Sequence, residues 1–324
     1  MEAASAGSEA VRGATEDEVG DAGGGKKKPI TERARAERKL GWMLVAPAVV
    51  AMLLVTAYPI LYAFVLSLQD VDLRFPDEGG FVGLSNYVDV LSSPLWWTDV
   101  FNTVFITVIS VSIEFVLGMG IALMMHRAIF GRGAVRTAVL IPYGIVTVVA
   151  AFSWQFAFQP DTGFVNQLPL IADDKDWFGD RFSSFAVIIM AEVWKTTPFI
   201  ALLLLAGLTT IDGGLYEAAK VDGASPIQRF FRITLPLMKP AILVALLFRT
   251  LDAFRVFDTI FIMTRGSQDT ESLSILGYNQ LISRLNLGLG SAVSVLIFIA
   301  VMIIAVLFVK GFGASVPGKE EDAR

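Results

Sequence analysis

The sequence predicts an all-α membrane protein with six transmembrane helices and both termini on the cytoplasmic side. Three observations predict it. Hydrophobic residues make up 54% of the 324 positions and the mean hydropathy is +0.62. Charged residues make up 18%, where a soluble domain carries about a quarter. The apolar residues also gather into six long runs instead of recurring at core-like periods, and roughly 20 apolar residues of helix cross a hydrocarbon layer about 30 Å thick.

Taken in order, residues 1–30 form a tail whose first 25 positions are rich in Gly, Ala, Glu and Asp and are predicted to be disordered. Residues 31–40 are charged and read either as a short helix on the cytoplasmic membrane surface or as an ordinary basic flank. The first span, 43–68, exceeds the 7–15 apolar residues of a signal peptide, so it is expected to remain uncleaved. The next runs are 100–125 with Glu114, 137–158 with no Asp, Glu, Lys or Arg, and 185–210 with Glu192 and Lys195. The fifth, 240–264, holds Arg249, Asp252, Arg255 and Asp258, and the sixth, 285–309, again has none of these charges. Backbone groups in lipid must be satisfied within their own segment, so each run is predicted to be one helix. The membrane domain thus spans 41–312 and 313–324 form a cytoplasmic tail.

Orientation follows from lysine and arginine. Basic residues crowd before the first span (Lys26 to Lys39), between spans two and three (Arg127, Arg132, Arg136) and between four and five (Lys220, Arg229, Arg232, Lys239). The opposite loops carry Arg74, Lys175, Arg181 and Arg284, with Arg265 at a boundary. That bias puts both termini in the cytoplasm.

Several functions are excluded. With no cysteine and one histidine, His126, the chain forms no disulfide, thiolate centre or histidine cluster, so no metal site is expected. A phosphate loop of the G-x-x-x-x-G-K-[ST] type is missing, so ATP is not hydrolysed here. There is no nucleophile–base constellation and no case for an enzyme. His126 itself reads as an interfacial flank.

The cytoplasmic loop 211–238 is the most informative stretch. Glu217-Ala218-Ala219-Lys220 are good helix formers with small side chains that allow close approach by another surface. Asp222-Gly223 supplies a turn, Ser225-Pro226 starts a second helix, and Leu235-Pro236 closes it before the fifth span. This pattern, Glu-Ala-Ala, three residues, Gly, nine residues, Ile-x-Leu-Pro, resembles the EAA loop of ABC importer permeases. Phe81-Val82-Gly83-Leu84-Ser85-Asn86-Tyr87, Asn102-Thr103 and the stretch from Glu192 to Phe199 are similar to segments of the carbohydrate (MalF-like) branch. Residues 137–150, 248–258 and 288–298 resemble the permeases of mycobacterial and related actinobacterial trehalose importers.

The resemblance implies a type I importer permease at the bacterial plasma membrane. It implies a second permease subunit, two ATPase subunits carrying ATP and Mg, and an extracytoplasmic sugar-binding protein or lipoprotein. The cargo implied is a disaccharide, with no cofactor bound by this chain and no nucleic acid. Glu217, Ala218, Ala219, Asp222 and Gly223 would seat in the ATPase.

Ionisable groups within a bilayer cost about 2.5–3.5 kcal/mol or more each and normally face a cavity or a partner. On one continuous helix Arg249, Asp252, Arg255 and Asp258 would wind over one half of the surface and pair at i,i+3. They read either as pathway lining that binds sugar hydroxyls or as mutual ion pairs, with Asp252 and Arg255 the expected sugar contacts and Arg249 and Asp258 structural. Glu192 and Lys195 are expected to pair locally, and Glu114 to answer one of the bases. Trp154 and Gln155 offer a stacking face and a hydroxyl partner, or belong to an interfacial belt. The rival reading is an ion-coupled secondary sugar transporter using Glu114 or Asp252; inverted repeats with broken helices, which that class uses, are not evident in the sequence.

Overall fold

The computed structural model describes residues 32–77, 79–127, 132–169 and 175–311, with side chains from residue 39 onward apart from Arg132. The expected tails at 1–30 and 313–324 lie outside the described residues. The chain divides into two units, residues 1–58 and 59–324.

In the first unit, residues 32–58 are helical and belong to helix α1 (Glu32–Ser67). Residues 32–40, expected as a separate surface helix or a basic flank, are the first turns of α1 itself.

The second unit continues from the end of α1. A two-residue antiparallel pair, β1 (Gln69–Asp70) with β2 (Gly80–Phe81), follows it and was not anticipated. Its neighbour Asn86 donates to the carbonyls of Ser67 at 3.0 Å and Gln69 at 2.9 Å, and the Tyr87 and Ser67 hydroxyls lie 2.5 Å apart. Asn86 of the 81–87 segment thus satisfies the last carbonyl of α1 and the first of β1, while Tyr87 holds the Ser67 hydroxyl. Helix α2 (Ser85–Ser92) leads into α3 (Pro94–Arg127).

The third run is not one helix. It breaks into α4 (Arg132–Gly144) and α5 (Thr147–Ala157), bent by 86°. The reason is local: Pro142 lacks an amide donor inside the helix, Gly144 ends it, and Val146 is extended at φ −57°, ψ 132°. The Pro-Tyr-Gly signal was present in the sequence.

Helix α6 (Arg181–Thr209) pairs most extensively with α3. Its buried Ile188 packs in one apolar cluster with Ile106 of α3, and its Ile200 and Leu204 in a second with Met119 and Met125 of α3. Then come α7 (Gly213–Val221), α8 (Pro226–Arg229), a π turn at Phe230–Thr234 and α9 (Leu235–Leu237).

The fifth run also breaks. Helix α10 (Lys239–Ala253) stops, residues 254–257 are irregular, and α11 (Asp258–Met263) resumes. No Gly or Pro marks this break; the freed Val256 carbonyl accepts instead from the Ser272 hydroxyl at 3.0 Å. At Gly207 of α6 a side chain would collide with Ala241, so glycine is what lets α6 and α10 approach closely. Helix α12 (Leu273–Tyr278) and a π turn at Asn279–Ser283 precede α13 (Leu287–Gly311). Only the first turns of α13 bury side chains, and Met302, Ile303 and Leu307 are exposed, as a lipid-facing surface requires.

By length and composition, α1, α3, α6 and α13 can each cross a membrane, and the number reaches six when each bent pair counts as one span. The expected six is thus the upper count, reached by joining α4 with α5 and the segment Pro226–Leu237 with Lys239–Met263.

Candidate functional site

Both breaks open onto one polar cavity of about 410 Å³. Non-helical backbone at membrane depth is tolerated where it lines such a cavity. Tyr143 and Thr147 flank the first break; Val256, Phe257 and Asp258 lie at the second; Glu192, Lys195 and Thr196 come from α6. Arg249, Asp252, Arg255 and Thr259 complete the lining.

Arg249 of α10 is the centre of this site and is only 1% exposed. Its Nε donates to Glu114 Oε2 at 2.5 Å and its Nη2 to Glu114 Oε1 at 2.8 Å, a bidentate grip on α3. Nη2 also donates to Glu192 Oε2 at 3.1 Å, and Nη1 to Asp252 Oδ2 at 2.6 Å. The Thr196 hydroxyl donates to Glu114 at 2.7 Å, and the Thr259 hydroxyl donates to Glu192. One guanidinium therefore ties α3, α6 and α10 together, and Thr259 adds α11. A buried charge needs this many partners to remain charged.

On the open side, the Asp252 side chain is 65% exposed and Arg255 is exposed. Lys195 places its ammonium 5.6 Å from the Tyr143 ring centroid, and Phe257 presents its ring, stacked on Phe261 at 5.1 Å. The lining thus offers carboxylate acceptors, cationic donors and aromatic faces around one void. That combination suits a neutral, hydroxyl-rich solute.

Several expectations need correction. Arg249, Asp252, Arg255 and Asp258 do not share one continuous helix face, because α10 ends at Ala253. Of their three possible i,i+3 pairs, only Arg249–Asp252 forms among the described residues. Glu192 and Lys195 do not pair: Glu192 turns inward to Arg249 and Thr259, while Lys195 lies over Tyr143. Trp154 and Gln155 are outside the cavity. Gln155 Nε2 donates to the carbonyls of Ile262 at 3.0 Å and Met263 at 3.2 Å, closing the end of α11. Trp154 stacks on Phe158 and tilts against Trp194 beside a separate apolar groove. Glu114 does answer a base, Arg249. Thr196, Thr259 and Tyr143 were missed; the signal available was the position of Thr196 four residues after Glu192, on the same helix face.

The loop between α6 and α10 forms a second feature. Asp212 caps α7 by accepting from the Gly214 amide at 3.0 Å. The helix ends in a Schellman motif: Gly223 has φ +78°, its amide bonds Lys220 O at 3.0 Å, and the Ala224 amide bonds Ala219 O at 2.9 Å. Ser225 and Gln228 exchange a capping box over Pro226. Leu235-Pro236 falls within α9, and the break follows at Met238, where the two segments meet at 69°. Glu217, Ala218, Asp222 and Gly223 are exposed and Ala219 partly so, while Val221 is 88% and Ile227 71% exposed.

An apolar helical frame with a charged internal cavity and a rigid, exposed helix–turn–helix at one end defines a membrane permease. Residues 114–316 match the family described as binding-protein-dependent transport system inner membrane component, and the chain belongs to that family. It is 55% identical over 290 residues to the trehalose transport system permease protein SugA of Mycobacterium tuberculosis, covering 89% of this chain and 94% of that one. It is 41% identical over 278 residues to the trehalose/maltose transport system permease protein MalF of Thermococcus litoralis, covering 85% and 94%. The fold matches a chain of a bacterial ABC transporter importing the acidic polysaccharide alginate, with a TM-score of 0.75 and 25% identity over 88% of this chain and 100% of the other. The protein is a multi-pass plasma-membrane permease with the ABC type I importer fold.

Proposed function

We propose that this chain forms half of the translocation pathway of an ABC importer for a disaccharide, trehalose, and couples to a separate ATPase through Glu217–Gly223. The observation that carries the proposal is the cavity at the two helix breaks. Its volume of about 410 Å³ lies in the range of small-molecule sites, roughly 300–1,000 Å³. Sugar hydroxyls are both donors and acceptors, so the carboxylate of Asp252 and the cations Lys195 and Arg255 can each engage them, with Phe257 as a face for the ring. Arg249 and Glu114 hold that lining in place from behind. Relatives at 55% and 41% identity named for trehalose transport support the choice of cargo.

The exposed loop supplies the coupling surface. Val221 and Ile227 are large apolar groups at its tip, and exposed apolar patches rimmed by polar residues mark protein contacts. The ATPase partner, which would hold ATP and Mg, seats there. Closure of its dimer would move α6 and α10, the helices on either side. A second permease subunit would complete the pathway and a sugar-binding protein would deliver the cargo from outside, with both termini in the cytoplasm as the lysine and arginine bias supports.

The ion-coupled alternative gains one point, because the structure does contain broken helices. It still leaves the Glu217 loop without a role. Uptake of labelled trehalose and maltose, with and without a proton uncoupler at clamped ATP, separates the two. ATP-dependent trehalose uptake insensitive to the uncoupler supports the proposal; uptake abolished by the uncoupler contradicts it.

A further inference from the structure

The break in the fifth span leaves α10 and α11 without a continuous helix between them, and their apolar side chains fall in different clusters. Ala245 and Ile242 of α10 pack with Met119 and Leu204, whereas Ile260 and Met263 of α11 pack with Ile106 and Ile188. Helix α6 runs through both clusters, and Glu192 lies on it between Ile188 and Ile200. Its carboxylate is divided between the two halves of the broken span. Oε2 accepts from Nη2 of Arg249 on α10 at 3.1 Å, and Oε1 accepts from the hydroxyl of Thr259 on α11. Glu192 is 8% exposed and Thr259 3%, so both bonds are shielded from water, where they are electrostatically stronger.

Charge balance alone does not ask for Glu192, because Glu114 already gives Arg249 a bidentate carboxylate. What Glu192 adds is one group that fixes the first turn of α11 against the end of α10. Gln155 and Ser272 hold only the far side of the joint, on the carbonyls of Ile262, Met263 and Val256. The consequence falls on the cavity. Its wall takes Asp252 from α10, Arg255, Val256 and Phe257 from the break, and Asp258 from α11. A group that sets the distance between α10 and α11 therefore sets the distance between the Asp252 carboxylate and the Phe257 ring. A binding constellation has to be held within about 0.5 Å by the contacts behind it.

We propose that Glu192 is a positioning residue for cargo: its carboxylate staples the broken span and keeps the two halves of the binding wall in register, acting through Arg249 and Thr259 and not on the sugar itself. The inference rests on the reading of this void as the cargo site. The test uses the complete complex in proteoliposomes and reads KM and maximal rate for trehalose uptake. Thr259→Val removes the hydroxyl at nearly constant shape and charge, and should raise KM about threefold to tenfold while the maximal rate changes less. Thr259→Ser keeps the donor and should keep the parental KM. Glu192→Gln should stay near the parent, since its carboxamide can accept from Arg249 and donate to the Thr259 oxygen. In a Glu192→Ala background Thr259→Val should raise KM no further, because both changes cut the same link. Hydrogen exchange at residues 254–257 should quicken in Thr259→Val and not in Thr259→Ser. Asp252→Asn separates this inference from the cargo reading. If Asp252→Asn raises KM and Thr259→Val does not, the positioning role is overturned and the cargo reading stands; if neither raises it, both fall. A KM raised as much by Glu192→Gln as by Glu192→Ala would also overturn it, by making negative charge the requirement. The Thr259 variants decide the matter even if Glu192→Ala fails to assemble.

Discussion

Arg249 and Glu114 meet side-on between α10 and α3, with Nε to Oε2 at 2.5 Å and Nη2 to Oε1 at 2.8 Å, and their side chains are 2% and 0% exposed. Without Arg249, Glu114 keeps only the Thr196 hydroxyl, and without Glu114, Arg249 keeps Glu192 and Asp252 but loses its bidentate partner. Removing one partner of a buried pair costs about 3–5 kcal/mol. Glu114→Ala is therefore expected to lower the thermal midpoint of the purified complex sharply and to reduce its yield from membranes. An unchanged midpoint would show that the pair does not hold the helices.

Asp252 shares the same guanidinium yet is mostly exposed to the cavity. Its replacement should affect cargo more than fold. In the proposed role, Asp252→Asn would turn a charge-assisted hydrogen bond to a sugar hydroxyl into a neutral one, a loss of about 1 kcal/mol, or roughly fivefold in apparent affinity. Uptake kinetics should show a raised KM at a nearly unchanged thermal midpoint. A lowered midpoint with the same KM would assign Asp252 to structure.

Gln155 tests the broken span. Its amide serves the last carbonyls of α11, and Gln155→Ala leaves them unpaired at a cost of about 1–3 kcal/mol. Hydrogen exchange over α11 should accelerate while α3 and α6 keep their protection. Uniform exchange across all three helices would mean that the contact is incidental.

Glu271 gives a pH signature outside the spans. Burial pushes its carboxyl above the ordinary range, against the Asn279 amide, which donates to it at 2.8 Å, and the nearby charge of Arg284. A raised folded-state value means that its stabilising contribution is complete below the unfolded value near 4.3 and is lost as pH rises through the folded value. Glu271→Gln keeps an acceptor for Asn279 without the charge. It should raise the thermal midpoint relative to the parent at pH 7–8, with the gap closing near pH 4. A gap independent of pH would contradict this.

The sequence carried the spans because apolar runs of membrane length leave few alternatives, and it carried the loop because Ser225-Pro226 and Gly223 have one cheap local geometry each. The Asn86 and Asn102 motifs were visible as patterns, but their role as clamps was not. Asn102 donates to the carbonyls of Asp269 and Glu271, both at 2.8 Å, more than 160 residues away. The charge pairing was misjudged for the same reason. Helical spacing suggested Glu192 with Lys195, whereas contacts between α3, α6 and α10 decided the partners. Pro142 and Gly144 announced the first break. Nothing local announced the second, where the freed Val256 carbonyl is taken by Ser272 from a distant segment.

Coupling through the exposed loop is the central claim, and Glu217→Ala tests it most directly. Trehalose uptake and ATP hydrolysis should be measured together in proteoliposomes holding the complete complex. The expected result is that the subunits still co-purify while uptake and cargo-stimulated hydrolysis both fall to background. Uptake that persists in Glu217→Ala, and collapses instead when a proton gradient is dissipated, would contradict the account.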